Sequence, residues 1–371
     1  MKATTTVFGN GEMTPEEKQA LIEFQSRINQ ETGQIEPKKT PIQIAGIGEI
    51  MYSADLSNHD YHNATDRMFA GHKYTEILSA GKLKACKTPL HLKREIENPP
   101  SNTENFNTGS AFHSMILEPE KFEYELFDDT EIYARLIEEG AKSPRATKEY
   151  KSWFAHYQDA EGNLRSNVLR KEAFQSMWQL KKKLMNDKVV KDLFTASSPE
   201  HSIFIQFNYQ MDNGKLLTVK VRPDGIKLAS RQDSENLKDY GVNFGDLIII
   251  SVKTTVDASP SGFLKQCIRL SYNVTEAFYY DVVTRWAHYM NLIKRENKVH
   301  TIFLTLEKDG NNLTGHYMVR PATPEFIQWG RSEYSENLEV YCSSKDLTEG
   351  YETINNGSTI CSITAPNYGR N

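Results

Sequence analysis

Cysteine is scarce in this chain: Cys86, Cys267, Cys342 and Cys361 are spread along 371 residues with no CxxC pair. That spacing excludes a disulfide-dense scaffold and a CxxC zinc site, and it fits a reduced, cytoplasmic protein. Long apolar runs are also missing. The longest strongly apolar stretch, Leu247 to Ile250, is far shorter than the roughly 20 residues that span a bilayer. Met1 to Gly11 is polar and Thr-rich, without the apolar segment of a secretory signal, so we expect an intracellular protein with no membrane attachment. Positive charge is not in excess. Lys and Arg number 44 against 49 Asp and Glu, a net charge of −5, which excludes a uniformly basic DNA compactor but leaves a local basic channel open. Familiar catalytic signatures are absent too: there is no GxxxxGK[ST], no HExxH and no GxSxG. Gly46-Ile47-Gly48 is followed by Met51 where the third glycine of a dinucleotide loop belongs.

What is present is enough for a sizeable core, with 38% hydrophobic and 25% charged residues. The length fits two domains, or one large α/β domain with an extension. We read residues 1–45 as a short helix (Thr14 to Asn29, opened by Thr-Pro-Glu-Glu) and a polar linker. Residues 46–345 are the main domain and 346–371 a polar tail. Within the main domain, 46–125 reads as mostly helical, broken at Pro99-Pro100. Residues 142–192 read as helical, with Trp153, Phe154, Phe174 and Trp178 as the buried stripe. Alternation then predicts strands over His201–Tyr209 and Lys215–Val221, across the turn Asp212-Asn213-Gly214. Asp246–Lys253 is apolar on both faces and should be a central strand. Helices over Ser261–Leu270 and Tyr272–Arg295, strands over Thr301–Leu306 and Gly315–Val319, and a helix from Thr323 to about Cys342 complete the reading. The order predicts a mixed α/β core behind a helical N-terminal region.

Within this frame a few polar residues stand out. Arg222-Pro223-Asp224 closes one strand, and Ser251-Val252-Lys253 lies on the next. Ser251 and Lys253 share a strand face while Val252 points away. His113 interrupts a short apolar helix, and Tyr272, Thr275 and Tyr279 share one helical face. Singly, each has a plain structural explanation: a core histidine, a Pro-Asp turn, a lysine reaching past a strand end. His59-Asp60-Tyr61-His62 has metal-like spacing but lacks a second ligand pair, and reads as loop or packing. The basic stretch Lys82, Lys84, Lys87, Lys93, Arg94 could track a nucleic-acid backbone, and a solvated helix face explains it equally well; for Lys181-Lys182-Lys183 the solvated face is the better reading.

The order of these pieces resembles the RecE-type (exonuclease VIII-like) branch of the PD-(D/E)XK nuclease superfamily, from about Tyr61 to Tyr351. The resemblance is carried by Tyr61-His62, Leu78-Ser79-Ala80-Gly81-Lys82-Leu83, Thr88-Pro89-Leu90-His91, Gly109-Ser110-Ala111-Phe112-His113 with Leu117-Glu118-Pro119-Glu120, and Arg222-Pro223-Asp224. It continues through Val252-Lys253-Thr254-Thr255, Phe263 with Tyr272-Asn273-Val274-Thr275-Glu276-Ala277-Phe278-Tyr279, and Phe303-Leu304-Thr305-Leu306-Glu307-Lys308. Three positions depart: Gly81 for a Ser, Thr275 for a Gln, and Ser251 for an acidic residue.

The resemblance implies a restriction-endonuclease-like sheet flanked by helices, and Mg²⁺- or Mn²⁺-dependent hydrolysis of phosphodiesters. It implies metal ligation by His113, Asp224, the Val252 carbonyl and position 251 (Ser251), catalysis by Asp224, Lys253 and Tyr279, and substrate contacts from Thr275 and Tyr279; Lys82 and Lys84 of the basic stretch are the further candidate substrate contacts. It further implies a 5′→3′ double-strand DNA exonuclease that prepares ends for annealing-type recombination, a ring-shaped homo-oligomer and a RecT-like annealing partner. Because Ser251 removes a carboxylate, a weakened or inactive DNA-end-binding member is the alternative. A plain α/β interaction protein is the third reading. Glu307, Asp246, Asp257 or Glu276 could replace the missing acid, Asp246 least readily because it falls on the opposite strand face. If position 251 simply lacks a ligand, Ser251→Asp should raise metal affinity and rate together.

Overall fold

The computed structural model describes residues 42–46, 49–54, 56, 61–62, 77–98, 104–119, 122–160, 162–212, 214 and 216–343. The helix expected at 14–29, the linker, the Pro99-Pro100 break and the tail lie outside them. Strands begin earlier than the sequence reading has them. β1 (Ile42–Gly46) and β2 (Glu49–Ala54) form an antiparallel hairpin, which corrects the expectation of helix at the start of 46–125. Ile42, Ile44 and Ile50 are β-branched, and β2 also pairs with a later strand, so tertiary pairing decides the local structure. Among the described residues the two-residue β3 (Leu78–Ser79) follows, and three helices come after it. Ser79 caps α1 (Ala80–Ala85), its hydroxyl accepting from Lys82 N at 3.4 Å. Thr88 caps α2 (Pro89–Glu97) in the same way through His91 N at 3.1 Å, with Pro89 at the first turn where a missing N–H costs nothing. α3 (Glu104–Leu117) follows.

β4 (Glu125–Phe127) pairs in parallel with β5 (Val168–Arg170), and α4 (Thr130–Glu138) and α5 (Lys148–Phe154) lie between them in sequence. In α6 (Lys171–Asn186) the buried stripe is Ala173, Met177, Leu180 and Leu184, one residue round from the expected one. Trp178 is 45% exposed and carries the ammonium groups of Lys181 and Lys182 over its ring at 5.8 and 5.7 Å. An aromatic flanked by lysines thus covers the surface instead of filling the core. Trp153 and Phe154 pack as expected, against Phe127. α7 (Lys188–Phe194) leads to the strand-rich half.

There β6 (Ser198–Pro199), β7 (Ser202–Gln210), β8 (Leu216–Val221) and β9 (Gly225–Leu228) precede α8 (Arg231–Asn236) and β10 (Leu247–Thr255). α9 (Pro260–Leu270), α10 (Tyr272–Tyr289), β11 (Val299–Asp309), β12 (Asn312–Pro321) and α11 (Pro324–Ser343) complete the chain. One sheet runs β1-β2-β7-β8-β3 and the other β12-β11-β10-β9-β6. In the second, β10 is parallel to β11 while the other pairs are antiparallel, which is the mixed central sheet the sequence predicts.

β10 is its middle strand, and its two faces are both buried. Leu247 and Ile249 pack with Phe278 and Trp286 of α10, while Ile248, Ile250 and Val252 pack with Phe112 and Met115 of α3 and Met177 of α6. Ser251 and Lys253 therefore belong to the α10 side. α10 ends at Tyr289, six residues short of the expected end. Asn291 adopts φ 52° and the N–H of Leu292 bonds to Ala287 O at 2.9 Å, a left-handed cap that Asn tolerates.

Candidate active site

Asp224 stands where β8 passes to β9. The β9–β10 ladder stops at Gly225 opposite Ile250, so beyond it the Val252 N–H needs another acceptor. Asp224 supplies it: Oδ2 accepts from Val252 N at 2.6 Å and from Lys253 Nζ at 3.3 Å. Oδ1 lies 3.7 Å from His113 Nδ1, on α3. Glu200 enters from the turn between β6 and β7. Its N–H donates to Asp224 O at 3.3 Å, and Arg222 Nε lies 2.8 Å from its carboxylate and 3.0 Å from its carbonyl. Its φ of 52° is in the left-handed region, strained for a side chain of this kind and held by those bonds. One ligand atom from each of His113, Glu200 and Asp224 lies within 4.8 Å of the others.

Across Lys253 stands Glu276 of α10. Its Oε1 is 3.7 Å from Lys253 Nζ and accepts from Ser251 Oγ at 2.7 Å. The Glu276 side chain is fully buried, and Oε2 has no hydrogen-bond partner among the described residues. Tyr272 places its ring 5.6 Å from the Lys253 ammonium. Tyr279 is close enough for Asp224, Glu276 and Glu200 to act on its hydroxyl, with Tyr61 also beside it.

Burial and charge set the protonation states. Burial pushes His113 below its ordinary value, and Lys253 adds to this against the opposing pull of Asp224. The neutral, metal-ligating imidazole is therefore favoured. Burial alone would raise Asp224, but Lys253, His113 and the Val252 N–H outweigh it and hold the carboxyl below its usual range. Glu200 goes the other way, pushed up to about 8 by burial and then by the negative charge of Asp224. Lys253 is raised: burial opposes its charge, but Asp224 and Glu276 overcome the penalty. Glu276 is raised by burial, with Lys253 and the Ser251 hydroxyl pulling it back. Burial likewise raises Tyr279, which stays a neutral phenol able to donate.

Residues 80–350 match the family described as a PDDEXK-like domain of unknown function (DUF3799), a span that covers well over half of the chain. The chain belongs to this family. A search of curated proteins found no match. Pro223-Asp224 and Ser251-Val252-Lys253, the segments that resemble the PD-(D/E)XK motif in the sequence, both lie inside the matched residues.

PDDEXK-like nucleases generally use divalent metals, and the donor set here fits one. Cations of this class bind oxygen ligands near 2 Å, so neighbouring donors converge to within about 4 Å of each other. His113, Glu200 and Asp224 are nearly that close. Glu200, held protonated beside a second carboxylate, is a group whose charge a cation would restore. The imidazole in the set suits Mn²⁺ better than Mg²⁺.

The other expected site residues fall as follows. The Val252 backbone is engaged on two sides, its N–H with Asp224 and a further hydrogen bond with His113. Ser251 is buried, and its hydroxyl donates to Glu276 Oε1. Thr275 is buried with its hydroxyl donating to Ser271 O at 3.4 Å, so it bonds to its own helix rather than to the cluster. Lys84 donates to Leu270 O at 3.4 Å and lies within the field of Lys253 and Glu276, whereas the charge of Lys82 acts on Lys220. Of the four candidate replacement acids only Glu276 is here. Glu307 accepts from Ala258 N at 3.0 Å, Asp246 from Lys298 N at 2.9 Å, and Asp257 from Ser259 N at 2.8 Å. Glu200 went unseen in the sequence. It sits in a turn with no periodicity, and a Pro-Glu pair there looks like any loop.

Proposed function

We propose that the chain is a metal-dependent nuclease that degrades double-stranded DNA from its ends, 5′→3′, to prepare single strands for annealing-type recombination. The observation that carries this reading is the convergence of His113, Glu200 and Asp224 beside Lys253. Those three side chains would hold a divalent ion, which would supply Lewis acidity and an acidified water. Lys253 offers a positive point charge to the phosphate oxygens, and its two carboxylate neighbours keep it charged at neutral pH. Tyr279 donates its hydroxyl to a phosphate oxygen. The RecE-type resemblance extends the reading to a ring-shaped homo-oligomer in the cytoplasm and a RecT-like annealing partner. Among the described residues no helix is long and apolar enough to cross a membrane.

One observation favours a second reading. Serine at position 251 leaves one acid fewer than the family pattern, which suits a weakened member that binds DNA ends without cutting them. End-labelled linear duplex, incubated with Mg²⁺ or Mn²⁺, separates the two. The nuclease reading expects release of the 5′ label first, no action on closed circles, and loss of cleavage in Asp224→Asn and Lys253→Ala. Salt-sensitive end binding with no cleavage under either metal leaves the second reading.

A further inference from the structure

We propose that Glu276 is a positioning residue for Lys253, supplying from α10 the negative charge that residue 251 does not carry. The inference rests on the nuclease reading. Lys253 Nζ sits between two carboxylates, 3.3 Å from Asp224 Oδ2 and 3.7 Å from Glu276 Oε1. A lysine ammonium is a point charge on a flexible four-carbon stem, so its place is set by its counter-charges. With Asp224 as the only one, Lys253 would fold onto the carboxylate that belongs to the metal set. Glu276 pulls from the other side. It is itself fixed by Ser251, whose hydroxyl donates at 2.7 Å to the same oxygen that faces Lys253.

A packing role does not explain this arrangement. Glu276 is fully buried, its Oε2 lacks a hydrogen-bond partner among the described residues, and Cys267 lies close by. Burial raises the Glu276 carboxyl, and the two groups that favour its charged form, the Lys253 ammonium and the Ser251 hydroxyl, both meet it at Oε1. Residue 251 and Glu276 meet at one point, so serine at the acidic position of the motif and a glutamate on the facing helix are one feature. In this chain the charge stands on the helix and faces Lys253 from there. On this inference the expected outcome for Ser251→Asp alone is the opposite of a gain. A carboxylate there would meet Glu276 at the distance of the present hydrogen bond, and should destabilise the site instead of completing it.

The test compares the full-length wild type with Glu276→Gln and with Ser251→Asp/Glu276→Gln. Three quantities are read: single-turnover cleavage of linear duplex, affinity for that duplex in Ca²⁺, and Mn²⁺ affinity by calorimetry. Glu276→Gln keeps shape and can keep the Ser251 hydrogen bond but removes the charge. Its cleavage rate should fall about 10–100-fold, the size of losses beyond the ligand shell, while DNA and Mn²⁺ affinity stay within about threefold. Returning the charge to residue 251 in the double variant should recover most of the rate. Glu276→Gln cleaving at the wild-type rate overturns the inference and leaves the nuclease reading standing. A fall in rate matched by an equal fall in Mn²⁺ affinity also overturns it, because Glu276 would then be a ligand. A wild type that cleaves no DNA overturns the nuclease reading, and this role with it. Should Glu276→Gln fail to fold, the double variant decides alone: folded and active supports the role, folded and inactive overturns it.

Discussion

At Glu200 the chemistry of the site condenses into one side chain. Its carboxyl is pushed from 4.5 up to about 8, by burial first and then by Asp224. The folded chain therefore holds a proton there that the unfolded chain has lost over that interval. Stability from this group is present below the ordinary value and is lost as pH rises towards about 8. In EDTA, urea midpoints measured from pH 5 to 8 should fall more for the wild type than for Glu200→Gln. Saturating Mn²⁺ should stabilise the wild type more at pH 8 than at pH 5. Parallel curves for the two proteins would show that Glu200 does not share its pocket with Asp224. His113, Asp224 and Lys253 were legible in the sequence because ordered motifs carry them. Glu200 was not, because a turn residue acquires its meaning only when β6, β7 and β9 bring it against Asp224.

The elements show the same division. β10 was legible as central because both its faces are apolar, and that strand fixes Ser251 and Lys253 on the α10 side. The β1–β2 hairpin was not, since its pairing with β7 lies far away in sequence. Nor was the close crossing of α10 and α11, which turns on Gly330. A Cβ there would stand 2.0 Å from Asn273 O and 2.7 Å from the Ala277 Cβ. Helix propensity favours Gly330→Ala by about 1 kcal/mol, whereas the crossing demands a shift of α10 that costs about 1–3 kcal/mol. We expect Gly330→Ala to lower the urea midpoint. Cleavage should fall with it, because α10 carries Glu276 and Tyr279. A stabilised, fully active Gly330→Ala protein would place the two helices further apart than described.

For the whole molecule, a net charge of −5 means that the proposed DNA substrate would have to be met by a local surface. The lysines divide into two groups. Lys181 donates to Met115 O at 2.7 Å and Lys183 to Gly315 O at 2.9 Å, tying α6 to its neighbours. Lys82 and Lys84 lie on α1, with Lys84 reaching towards the cluster. If α1 tracks the DNA backbone, Lys82→Ala should lower the salt slope of duplex binding by about 1, and Lys181→Ala should leave it unchanged. The reverse result would move the DNA path to the α6 face.

The most direct measurement is an anomalous difference map from crystals of the full chain grown with Mn²⁺. One peak should stand within about 2.3 Å of a donor atom from each of His113, Glu200 and Asp224, with Lys253 beside it and Ser251 still bonded to Glu276. A peak ligated by Glu276 or by Glu307 in place of those three, or no peak at the cluster at saturating Mn²⁺, would contradict the assignment of the metal site.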